Sequence, residues 1–296
     1  MKNAITNYEN TFYFDKTALS GVISVDGSYN LSYSPLNSIG KGFFQQSISS
    51  APTANLSVSR YLTSDDPVLN STGLYSVARP TSAGLYYKNK YFAFEEGYLS
   101  SMNISCSVGE IPTIEAAFDI YGDIGPNFNP SGDKYAGSVF IPQVKNIILS
   151  TRNSTTNRVV GFGVDYSMPK IPIYGFGRNN QVIEVHNVFP IEVTSNFILE
   201  VDDYESKAAF DDLSSNGETS FSIDIKASIL NDIPLTDAEG NQIQDAQGGG
   251  YDSQEKGDDP SIFSFGATNA VIVSEQVSST SDDVMSVNLS YKTYLN

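Results

Sequence analysis

The sequence predicts an all-β protein with one or two short helices, arranged as two tandem β-sandwich domains. Three observations carry this. Apolar and polar residues alternate with a period of two along much of the 296 residues, helical periodicity is scarce, and two blocks of features return in the same order in each half. Alternation of this kind lets each strand turn one face to a core and the other to water, as antiparallel sheets do.

Along the chain, Tyr29, Leu31 and Tyr33 alternate first, with Ser28, Asn30, Ser32 and Ser34 between them. Ala54, Leu56 and Val58 alternate with Asn55, Ser57 and Ser59. Met102, Ile104, Cys106 and Val108 alternate with Asn103, Ser105 and Ser107, and Ile114, Ala116, Phe118 and Ile120 with Glu115, Ala117 and Asp119. Later come Ile191 to Val201, Phe221 to Ala227, and Val287, Leu289 and Tyr291. The polar faces are mainly Ser, Thr and Asn, a lightly solvated surface that docks on a neighbouring subunit at modest desolvation cost. The best helix candidate is Asp203–Leu213, where Tyr204, Ala208 and Leu213 share a face and Asp202 or Asp203 suits the N-cap.

Two matches suggest a duplication. A strand ending in Tyr33-Ser34, with Pro35 and then Gly40-Lys-Gly42, resembles one ending in Tyr166-Ser167, with Pro169 and then Gly175-Phe-Gly177. Each is followed by a strand opened by proline (Pro52, Pro190) that ends in acidic residues. The segment Ile104–Tyr121 then matches Val277–Tyr294 without a gap, 173 residues on. The expected domains are residues 1–138 and 139–296. The second carries a long loop insertion at about 231–260, rich in Gly, Gln and Asp, of the kind that is functional or disordered.

Composition removes many functions. Lys and Arg number 17 against 34 Asp and Glu, a net charge of −17 that opposes phosphate binding. One Cys and one His exclude a disulfide framework and a zinc site of paired Cys or His ligands. His186 shares a strand face with Glu184, the arrangement of a carboxylate-oriented base, yet it also reads as an ordinary exposed histidine. Cys106 falls on an apolar face and reads as a buried structural thiol. The two Gly-x-Gly segments are too short for a phosphate loop, and no nucleophile elbow occurs. Asp237, Glu239, Asn241 and Asp245 lack the terminal glutamate of a calcium loop. Asp202, Asp203, Asp211 and Asp212 read as the solvated ends of a helix rather than a metal cluster. Carboxylate pairs for glycoside cleavage remain open in so acidic a chain, but no Trp is present to stack a sugar. The expectation is a non-enzyme without metal or cofactor. The N-terminus has no apolar run for a signal peptide and no stretch suits a membrane helix, so cytosolic production is expected and chance explains sequons such as Asn55-Leu56-Ser57.

The run Tyr33-Ser34-Pro35 to Gly40-Lys-Gly42, and the block from Gly97 through Val108-Gly109-Glu110-Ile111-Pro112 to Phe118, resemble tail tube (major tail) proteins of tailed bacteriophages. The second half keeps the later hairpin but reads Ser281-Asp-Asp-Val-Met285 at its turn. The resemblance implies two packed β-sheets with a small helix in each domain, and trimeric (pseudo-hexameric) or hexameric rings stacked as a hollow tube. It implies a virion tail assembled in the host cytoplasm, with tail sheath, baseplate and tail terminator proteins as partners. Phage DNA would pass through the lumen unbound, since an acidic wall repels phosphate. The alternatives are another virion β protein (baseplate hub, neck or capsid decoration) or a surface or carbohydrate-binding β-sandwich.

Overall fold

The computed structural model describes residues 10–30, 33–36, 45–48, 53–63, 66–71, 78–122, 124–126, 128–129, 132, 147–151, 155–175, 182–200, 219–226, 261–279 and 285–295. The protein is all-β. Its first half contains β1 (Asn10–Phe14), β2 (Thr17–Ala18), β3 (Val22–Asn30), β4 (Tyr33–Leu36), β5 (Gln45–Ile48), β6 (Thr53–Tyr61), α1 (Pro67–Ser71), β7 (Thr81–Tyr87), β8 (Lys90–Ser107), β9 (Thr113–Ile120) and β10 (Ile124–Gly125). Its second half contains β11 (Ile147–Thr151), β12 (Thr155–Thr156), β13 (Val159–Ser167), β14 (Lys170–Tyr174), β15 (Val182–Asn187), β16 (Ile191–Glu200), β17 (Thr219–Lys226), β18 (Ser261–Ser278) and β19 (Ser286–Leu295).

Local chemistry sets the turns. Asp15 and Lys16 between β1 and β2, and Lys88 and Asn89 between β7 and β8, all have positive φ. Two such residues in succession form the mirror-image turn whose twist matches a tight hairpin. Gly109, at φ +83°, turns the chain from β8 to β9, a conformation that glycine adopts at little steric cost.

One antiparallel run passes through β3, β6, β9, β8, β13, β16, β19 and β18. A second layer is reached through the two longest strands. The first part of β8 pairs with β7 and continues to β1 and β2. The first part of β18 pairs with β17 and continues to β11 and β12. The layers meet face to face as a β-sandwich. Phe14 of β1 and Phe118 of β9 lie 5.7 Å apart by ring centroids, and Phe197 of β16 and Phe221 of β17 lie 5.4 Å apart. Burial in β6 and β16 follows the predicted alternation.

The pairing order β3-β6-β9-β8-β7-β1-β2 recurs as β13-β16-β19-β18-β17-β11-β12. The irregularities coincide as well. β3 bulges at Ile23 against β6, and β13 bulges at Val160 against β16, 137 residues later. β8 bulges at Ser100 against β9, and β18 at Val273 against β19, 173 residues later. This last spacing is the one read from the sequence. The Tyr-Ser match sits differently: the bulges place Tyr29, not Tyr33, opposite Tyr166 in the comparison of the halves, while Tyr33 opens β4 as Lys170 opens β14. A period-two pattern slides by four residues without changing face, so alternation alone does not fix this register.

Residues 88–89 join β7 to β8, whereas residues 227–260 lie between β17 and β18. The proposed insertion at 231–260, the helix candidate Asp203–Leu213, the Asp237–Asp245 segment and the boundary near 138 lie outside the described residues. Among the described residues the helix present is α1.

Candidate functional surface

The eight-stranded run buries one face on the core and leaves the other mostly polar, with Ile198, Val271 and Tyr294 exposed toward its β16, β18 and β19 side. Cross-strand partners share a face, so the register defines the polar side. Asp26, Ser57, Ala117, Ser101, Ser167 and Glu192 form one row across β3, β6, β9, β8, β13 and β16. The next row carries Ser59, Glu115, Asn103, Asp165, Thr194 and Lys292. Carboxylates from strands distant in sequence thus gather on one surface, separated by Ser, Thr and Asn.

A concavity of about 420 Å³ lies on this face, lined in part by Ser57, Asn103, Glu115, Asp165, Glu192 and Thr194. Asn103 donates a hydrogen bond to Asp165, tying β8 to β13. The Lys292 ammonium donates to Glu192 at 2.7 Å, and that bond raises the lysine pKa above its ordinary value. Toward the rim, burial raises the Asp119 carboxyl, while a hydrogen bond from Ser100 and the charge of Lys170 oppose the rise. Burial lowers Lys170 to about 8, and its Nζ donates to Asn187 at 2.7 Å. The face is therefore negative, with Lys292 held by Glu192 and Lys170 reaching its rim from the β14–β15 hairpin.

His186 and Glu184 stand together on β15, 3.4 Å apart, both more than half exposed. They lie on the hairpin that β15 forms with β14, a two-stranded sheet of its own. An open hairpin does not desolvate the pair as an acid–base site requires. Among the described residues no group of three or more Cys, His, Asp or Glu is placed to hold a metal ion, and no helix is long and apolar enough to cross a membrane.

Cys106 is buried on the core face of β8. Burial, with a smaller contribution from Glu110, pushes its thiol up to about 11. The thiolate is the reactive form, so native protein at pH 8 is expected to resist iodoacetamide and to alkylate fully once unfolded in urea. Mass spectrometry of both samples checks this; rapid labelling of the folded chain would place Cys106 at an accessible site.

Sequence reasoning identified the polar composition of the strands but did not locate the acidic surface. Its signal lies in pairings such as Asn103 with Asp165, 62 residues apart, which no local pattern encodes. A comparison with protein families matches no family model, and no curated protein matches the chain.

Proposed function

We propose that this chain is a structural subunit of a bacteriophage tail tube, forming rings that stack around a channel for genome passage. The observation that carries the reading is the predominantly polar face of the eight-stranded run, with Asp26, Glu115, Asp119, Asp165 and Glu192 set among Ser, Thr and Asn. A wall of this chemistry repels phosphate and offers few cations to neutralise it, so nucleic acid slides past. Two further features agree. The net charge is −17, and the hairpin β14–β15 exposes Ile171, Ile173 and Ile183, apolar groups suited to contact a neighbouring subunit.

Electron microscopy of the concentrated protein tests this. Rings or hollow tubes are the expected result. A compact monomer persisting at high concentration, under conditions that preserve the fold, would refute the reading.

A further inference from the structure

We propose that the open β18 edge of one molecule pairs with the open β3 edge of a second copy, in the register that β8 and β13 use inside a single chain. This names the subunit contact of the proposed ring and rests on that reading for its biological setting, although its derivation is geometric.

The chain already contains one such junction. The segments β3-β6-β9-β8 and β13-β16-β19-β18 are joined where β8 pairs with β13, from Gly161 opposite Ser107 to Ser167 opposite Ser101. The coincident bulges make β3 the counterpart of β13, and β18 the counterpart of β8. In the interior junction β13 has partners on both sides, β16 and β8, and β8 has β9 and β13. Among the described residues, β3 pairs only with β6, and β18 over Ser274–Ser278 pairs only with β19. The two unpaired edges are the two sides of the interior junction, carried at opposite ends of the run.

Exposure follows the same logic. Tyr166 of β13 is 5% exposed, but its counterpart Tyr29 of β3 is 44% exposed. Ile104 of β8 is 0% exposed, but its counterpart Val277 of β18 is 43% exposed. Equivalent side chains are covered where the junction exists and open where it does not. An open strand edge also leaves backbone N–H and C=O groups unpaired, which a second strand satisfies.

Transferring the interior register sets Gly27 opposite Val277, Ser28 opposite Gln276, Tyr29 opposite Glu275, Asp26 opposite Ser278 and Asn30 opposite Ser274. No like charges face each other in these pairs, as a cross-strand contact requires. Tyr29 and Glu275 add a specific complement. Both carboxylate oxygens of Glu275 are buried without a hydrogen-bond partner among the described residues. The Tyr29 phenol, brought opposite, donates the hydrogen bond they lack. The contact is heterologous, since a different edge is used on each side. Repetition therefore continues from molecule to molecule until rotation closes a ring.

Two single variants, Ser28→Cys and Gln276→Cys, test the register. Their interior counterparts are Asp165 and Asn103, whose side chains touch, and the native Cys106 is buried. Oxidation of the mixed variants is expected to give a disulfide-linked pair containing one chain of each. Mixing Ser28→Cys with Val277→Cys, whose side chain points to the opposite face, is expected to give none. As a second measurement, Tyr29→Phe and Glu275→Gln are each expected to raise the concentration needed for assembly roughly tenfold, with no further effect in the double variant. Rings in micrographs without the Ser28–Gln276 link would overturn this junction and leave the tube reading standing. The link without tubes would support the junction and sink the tube reading. A link confined to one chain in the variant carrying both cysteines would also overturn the junction, because the edges would then close on themselves.

Discussion

Replacing Asp66 by Ala is expected to destabilise the protein by about 3–5 kcal/mol, the cost of leaving a buried charge without its partner. Arg60 lies on β6, wholly buried, in the alternation that also buries Ala54, Leu56 and Val58. Its Nη2 donates to Thr63 Oγ1 at 2.8 Å and to Asp66 Oδ2. The other Asp66 oxygen accepts the backbone N–H groups of Val68 at 3.0 Å and Leu69 at 3.4 Å. Asp66 is thus also the N-cap of α1, and Pro67 occupies the first helical position, where its missing N–H is not needed. One carboxylate neutralises the arginine and starts the helix. Asp66→Asn keeps a side-chain oxygen for the cap and loses the charge, so its cost should be smaller.

The second half suggests how to repair the loss. At the spacing that relates β6 to β16, Arg60 corresponds to Leu199, which is buried. Adding Arg60→Leu to Asp66→Ala removes the unpaired cation and is expected to recover most of the stability, as when a buried ion pair gives way to apolar packing. Urea unfolding of the single and double variants measures both effects. A loss below about 1 kcal/mol for Asp66→Ala would show that the guanidinium finds water or another partner.

Phe118→Ala is expected to cost about 3–5 kcal/mol, through lost burial and the cavity left behind. Phe118 of β9 is fully buried. It meets Phe14 of β1 at 5.7 Å and Phe94 in the first part of β8 at 6.2 Å. Both partners belong to the second layer, so this ring joins the two sheets of the first half. Phe118→Leu keeps much of the volume and should cost clearly less. A lower urea midpoint with an unchanged slope is the expected signature. If both variants unfolded like the parent protein, the two layers would not be sharing this core.

Much of the fold was legible because pleating is local. In β6, β9, β16 and β19 the inward residues follow from alternation alone. The first part of β8 hid from that test. Ala93 and Phe94 are both buried and Glu95 and Glu96 both exposed, so the alternation breaks where the strand passes between layers. Arg60 was hidden for another reason: its charge argues for the surface, and only a carboxylate six residues on makes burial tolerable.

By itself the sequence determined an all-β protein, the inward and outward faces of its regular strands, and polar faces built mainly of Ser, Thr and Asn. Each of these depends on neighbours within a few residues, where the pleat fixes side-chain direction. The tertiary structure alone decided which strands pair, how β8 and β18 serve both layers, and which edges stay open. It also decided that carboxylates from separate strands share one face. These depend on register between segments far apart in the chain, and a period-two pattern slides by even steps at no local cost until long-range packing selects one alignment.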